Sequence, residues 1–195
     1  MKNSCLVIFT LFLIGCSNKT ELLVGDNYIL QSLEGNKDFI FNQMTSKELY
    51  YLLDKDAINL QSNKPISKYV KKTNGLILSL GVYDICSSFT FDGKKVSFNE
   101  EQLDRQIELF DYYIEQAFSL IENSNVYVLE QFNPFIDNEY IVFDSYINKI
   151  NDILSSKADN YSFYYVELPE IRKYLVDDFV LLSESASYIN SRIHD

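Results

Sequence analysis

Histidine is almost missing from this chain of 195 residues: there is one, His194, next to the last position. That single residue makes a His-based metal centre untenable. It also sits at a chain end, which is commonly mobile, so a well-ordered catalytic histidine is not expected. Cysteine is scarce, with only Cys5, Cys16 and Cys86. Basic residues are few as well, 17 Lys and Arg against 28 Asp and Glu, for a net charge of −11. A surface that acidic repels phosphate backbones and anionic headgroups, which argues against nucleic acid as a partner and against electrostatic docking on a membrane. The chain lacks internal repeats, low-complexity runs and any domain linker. Beyond the first fifteen residues no charge-free stretch reaches the roughly 20 residues that a transmembrane helix needs.

What is present begins at the start of the chain. Lys2 precedes an apolar run from Leu6 to Ile14, the charged start and hydrophobic core of a signal peptide. Leu13-Ile14-Gly15-Cys16 resembles a bacterial lipoprotein cleavage box. The resemblance implies a diacylglyceryl group on Cys16, removal of residues 1–15, and a place at the cell membrane, lipid-anchored on its extracytoplasmic face. Removing Lys2, the only charge in residues 1–15, takes the net charge from −11 to −12. Residues 16–21 then form a short tether, and 22–195 are left as one domain with room for a sizeable core. Cys5 leaves with the signal and Cys16 is blocked by lipid, so Cys86 has no partner for an internal disulfide or a zinc site. It is expected as a small core residue.

Along the domain, short apolar runs alternate with amphipathic stretches. Leu22-Leu23-Val24 ends at the turn signal Gly25-Asp26-Asn27. Ser46 to Leu53 has helical spacing, Ala57 to Leu60 reads as a short strand, and Pro65 permits a new helix toward Val70. Gly75 to Gly81 is almost wholly apolar, as expected of a strand covered on both faces. Asp92-Gly93 centres a hairpin over Phe89 to Val96. Ser97 and Glu100 match a capping box opening the longest helix, whose apolar stripe is Leu103, Ile107, Phe110, Ile114, Phe118 and Ile121. Val126 to Leu129 is a strand, Tyr140 to Leu154 a helix, Ser162 to Val166 the last strand, and Leu182 to Ile193 a closing helix. Such alternation means an α/β fold with a parallel sheet covered by helices on both faces and right-handed crossovers.

The order of short motifs resembles the SGNH/GDSL hydrolase family of esterases, lipases and acyl-sugar deacetylases. Leu23-Val24-Gly25-Asp26-Asn27 stands where the family has its Gly-Asp-Ser turn. Leu80-Gly81-Val82-Tyr83-Asp84 stands for its Gly-x-Asn-Asp block, Asn133-Pro134-Phe135 for its Asn-Pro segment, and the stretch from Asp178 for its closing Asp-x-x-His. The resemblance implies a flavodoxin-like three-layer αβα fold with a five-stranded parallel sheet in the order 2-1-3-4-5. It also assigns family-equivalent site positions: Gly25, Asp26, Asn27, Gly81, Tyr83, Asp84, Asp178 and Leu181.

At those positions the chemistry is gone. The family's serine attacks the acyl carbon, its histidine takes the proton and its aspartate orients the histidine. Here Asn27 replaces the serine, Leu181 the histidine, and Tyr83 an oxyanion-binding asparagine. The glycine of the second block has no counterpart near Asn59 to Pro65. Loss of one oxyanion donor alone costs about 2.7–4 kcal/mol in the transition state. The expectation is a catalytically inactive binding or scaffold module, without cofactor or metal, that meets an envelope protein or glycan. Asp26 and Asp84 are expected to brace turns or cap helices. Two alternatives stand beside it: an active esterase or deacetylase with a rearranged nucleophile at Ser87 or Ser88, and an unrelated α/β lipoprotein of an envelope assembly. Tyr50, Tyr51, Tyr112 and Tyr113 are candidates for a partner surface, and His194 is expected as an exposed tail residue.

Overall fold

The computed structural model describes residues 21–25, 29, 33, 38–42, 44–56, 58–59, 64–86, 88–92, 95–135, 141–177 and 180–194. Its centre is a five-stranded, all-parallel sheet built from β1 (Leu22–Gly25), β2 (Asp38–Asn42), β5 (Leu76–Ser79), β8 (Val126–Leu129) and β9 (Tyr164–Val166). Its spatial order is β2-β1-β5-β8-β9. Numbered within the sheet, that order is 2-1-3-4-5, the flavodoxin-like arrangement expected from the motif order. Every residue of β1 and β5 is buried. Continuous apolar runs are therefore needed there, because both faces of the sheet are covered.

One edge strand differs from expectation. Of the expected strand 57–60, the described residues Ile58–Asn59 belong not to the main sheet but to a two-residue antiparallel ribbon, β3 (Ile58–Asn59) with β4 (Lys64–Pro65), while Ala57 and Leu60 lie outside the described residues. Pro65 has no N–H for a ladder, which suits a short ribbon and not a central strand. The edge place beside β1 belongs to Asp38–Asn42, whose register slips by one residue between Leu23 and Val24.

Helices follow their caps. Helix α1 (Ser46–Asp54) opens with a reciprocal box: the Thr45 hydroxyl accepts from Glu48 N–H at 3.3 Å, and Thr45 N–H donates to the Glu48 carboxylate at 2.8 Å. Helix α2 (Ile66–Lys72) leads into β5, and the short α3 (Val82–Cys86) follows it. The hairpin β6 (Phe89–Asp92) and β7 (Lys95–Phe98) runs two residues further than its sequence signal. Phe89 pairs with Phe98 and Thr90 with Ser97, so Ser97 is held extended and cannot cap a helix. The cap of α4 (Glu100–Ser119) is Asn99 instead, whose side chain accepts from Gln102 N–H at 3.0 Å. Its stripe Leu103, Phe110, Ile114 and Phe118 is buried as expected, with Ile107 only half-buried.

Helix α5 (Ile141–Tyr161) continues seven residues past Leu154, since neither Gly nor Pro interrupts it. It ends at Ser162, in the left-handed region at φ 58°, where Phe163 N–H turns back to the Ala158 carbonyl. Strand β9 is not the last one. After a 3₁₀ turn at Ile171–Tyr174 come β10 (Leu175–Asp177) and β11 (Val180–Leu181), a small antiparallel hairpin. Leu182 N–H extends it by donating to the Tyr174 carbonyl, so the closing helix α6 (Ser185–His194) starts three residues later than its periodicity suggests. Helices α1, α4 and α5 pack side by side, α1 on α4 and α4 on α5. Phe110, Phe118 and Phe143 are fully buried in the resulting core. Among the described residues, no helix is long and apolar enough to cross a membrane.

Candidate functional site at the carboxyl edge of the sheet

In an open parallel sheet, ligands bind beyond the carboxyl ends of the strands, at the point where strand order reverses. Here that point lies between β1 and β5, whose last residues Gly25 and Ser79 are register partners. Two glycines shape it. Gly25 has φ +125°, and a Cβ on it would sit 1.8 Å from the Ser79 carbonyl oxygen. Gly81 has φ +124°, and its Cβ would meet Ile150 at 2.6 Å and Phe110 at 3.3 Å. The first lets two strand ends converge; the second lets the loop after β5 lie flat on α4 and α5. Both motif glycines are demanded by packing alone.

Asp84, in α3, is 7% exposed. Both its carboxylate oxygens accept from Ser46 N–H at 3.1 Å, and the Ser46 hydroxyl donates to Oδ1 at 2.5 Å. Ser46 is the first residue of α1, so the carboxylate ties the loop after β5 to the helix after β2 across the end of β1. Burial pushes the Asp84 carboxyl up to about 7, against the two Ser46 hydrogen bonds that favour its charged form. The pair has the residue types of a nucleophile and base, yet Ser46 is completely buried and both its donors face the one carboxylate. The geometry is a brace.

Tyr83 is half-buried beside it. Leu181, expected from motif order at the histidine-equivalent position, lies in β11 paired with Leu175 and rests on the hydrophobic core. Asp26, Asn27, Asp178 and Ser87, like Cys16, lie outside the described residues. Ser88 is 5% exposed with its hydroxyl unpartnered, and among the described residues no base is bonded to it. His194 is exposed as expected, but it is not a loose tail. It belongs to the last turn of α6, with Nε2 3.8 Å from the Glu21 carboxylate. Glu21 precedes the first residue of β1, so the histidine is at the amino end of the sheet, about 13 Å of strand away from the switch point.

A polar seam that the motifs did not indicate lies one strand over. Asn151 of α5 brackets the backbone of Gln131, accepting from its N–H and donating to its carbonyl, both at 2.8 Å. The Gln131 amide donates to the Leu129 carbonyl at 2.8 Å and to Ser79 Oγ at 3.3 Å. Asn133 Oδ1 accepts from Phe135 N–H at 3.0 Å, fixing the Asn-Pro turn. Against this seam opens a groove of about 350 Å³, with Asp144, Asn148 and Arg172 on its outer wall. Arg172 donates to the Phe135 carbonyl at 3.1 Å and stands 3.7 Å from Asp144. The run Glu130-Gln131-Phe132-Asn133 after an apolar strand was the available signal: buried amides there have no reason to exist without partners. Among the described residues, no cluster of three or more His, Cys, Asp or Glu side chains is placed to hold a metal ion.

No protein-family model matches the chain, and no curated protein matches it. Solved structures do. An extracellular lipase from Streptomyces rimosus superposes with a TM-score of 0.56 at 10% identity, over 91% of this chain and 98% of the lipase. Phospholipase A1 from Streptomyces albidoflavus gives 0.56 at 11%, over 90% and 100%. A catalytic mutant of an acetylxylan esterase from Geobacillus stearothermophilus gives 0.54 at 12%, over 91% and 93%. The chain has the SGNH/GDSL-hydrolase fold. Identity this low speaks for the fold alone, and function has to come from the site. Within the SGNH frame, the described part of the carboxyl edge supplies turn glycines, a bracing carboxylate and buried amides.

Proposed function

We propose that this protein is a lipid-anchored envelope module with an SGNH-type domain that binds without hydrolysing. The observation that carries the proposal is the place of the single histidine. An SGNH hydrolase moves a proton through an imidazole at the carboxyl edge, and proton transfer needs contact at about 3 Å. By motif order that position falls on Leu181, whose side chain carries no proton, and His194 is at the other end of the sheet. Asp84 does not replace it as base, because the hydroxyl bonded to it is that of Ser46, which is completely buried and out of a substrate's reach.

Among the described residues, the groove beside the Gln131–Asn151 seam is a concave feature of this edge. Amide, carboxylate and guanidinium groups around it suit a ligand rich in hydroxyls, such as an envelope glycan. Cys16 supplies the membrane attachment, and the acidic domain stays in solution beside the headgroups.

The deciding experiment incubates the folded mature chain with a fluorophosphonate probe, beside assays on p-nitrophenyl acetate and acetylated xylo-oligosaccharides. We expect neither labelling nor turnover above an unrelated folded protein. Stoichiometric labelling of one serine, with turnover that disappears when that serine is replaced by alanine, would sink the binding-module reading in favour of a rearranged esterase.

A further inference from the structure

We infer that the amino end of the sheet is the surface that faces the phospholipid headgroups, and that the carboxyl-edge groove therefore takes its ligand from the side away from the anchoring membrane. The inference rests on the Cys16 anchor proposed above. The chain enters the domain at Glu21, directly before β1. From Cys16 to Leu22 there are six residue steps, at most about 20 Å when fully extended. A domain of this length has a radius of gyration of about 16 Å, hence a diameter of about 40 Å. A tether half the domain's diameter cannot reach round it. With lipid on Cys16, the short tether keeps the amino end of the sheet nearer the bilayer than the carboxyl edge.

The surface around the entry point has the side chains for such a place. Tyr127 and Tyr164 stack there with ring centroids 5.3 Å apart, and Tyr164 is 55% exposed. Glu21 and Tyr127 flank Gly75 there: a Cβ on Gly75 would touch the Tyr127 ring at 3.3 Å and Glu21 Cγ at 3.6 Å. Tyrosine rings suit the headgroup layer, where one end of the ring is apolar and the other wet. On the same end, Lys71 and Lys72 close α2 and line an open concavity of about 670 Å³ with Asn74, Glu122, Ser124 and Asn125. Leu120, exposed at the end of α4, adds an apolar contact.

The test uses the full-length precursor, processed and lipidated in cells, carrying Cys86→Ser and one added cysteine, either Ser124→Cys at the amino end or Lys47→Cys at the start of α1. Each is labelled with a small fluorophore and reconstituted in phosphatidylcholine–phosphatidylglycerol vesicles containing a headgroup spin-labelled lipid. Circular dichroism matching the parent chain qualifies each variant. We expect quenching at position 124 at least threefold greater than at position 47. Equal quenching, or stronger quenching at position 47, on protein that floats with vesicles and carries the diacylglyceryl mass, overturns the orientation alone. A mature chain without that mass overturns the anchor and the orientation together.

Discussion

Asp84 offers the sharpest test of how this structure is held together. Its folded-state acidity is displaced from 3.8 to about 7 because burial removes the charged form from water. Between those values the native state holds a proton that the unfolded chain has released. Stability must then fall as pH rises, by 1.36 kcal/mol per pH unit for one proton. Over about three units the loss attributable to this group is at most about 4 kcal/mol. Asp84→Asn keeps the shape and removes the titration. Other carboxylates slope the opposite way: Glu115 beside Tyr161 and Lys157, and Glu122 beside Lys71, are held low, so their contributions vanish as pH falls. They cancel when the variant is subtracted from the parent. Urea unfolding of both proteins at half-unit steps from pH 4 to 8 should show the variant gaining on the parent by about 1.4 kcal/mol per unit up to near pH 7, then levelling. A difference that does not change with pH refutes the reasoning. A gain by the parent with rising pH would show that the Ser46 bonds and the start of α1 outweigh burial.

Two substitutions probe the frame around that carboxylate. Gly25→Ala forces a side chain into a left-handed backbone against the Ser79 carbonyl, and denaturant titration should register a loss of about 3–5 kcal/mol or no folded protein. Thr45→Ala removes half of the capping box on α1 and should cost about 1 kcal/mol by the same titration, without change in m-value.

Locally encoded features were legible in the sequence. Apolar runs of three or four residues marked β1, β5 and β8, because strands covered on both faces need no alternation. The three-and-four spacing of Leu103 to Phe118 marked α4. Boundaries failed where a distant partner decided them. Ser97 looks like a cap until Thr90 pairs with it across a hairpin, and the closing helix begins late because Leu182 is claimed by Tyr174. Strand Asp38–Asn42 carries no turn signal or long apolar run of its own, and its five residues acquire a role only beside β1. At the site, the glycine and aspartate motifs pointed to the correct edge of the sheet. Their roles did not follow from spacing, since the Asp84 partner is 38 residues away.

By itself, then, the sequence determined composition and local pattern: one histidine, a cysteine in a lipoprotein-like box, an alternation of strand and helix, and a motif order whose resemblance to a hydrolase family expects a serine at Asn27 and a histidine at Leu181. Only the tertiary structure decided proximity. It put His194 beside Glu21 and away from the switch point, made Asp84 a brace for α1, and gathered Gln131, Asn151 and Ser79 into a seam. Periodicity is written in neighbouring residues, whereas proton transfer and bracing depend on distances of about 3 Å between groups the chain brings together only by closing the sheet.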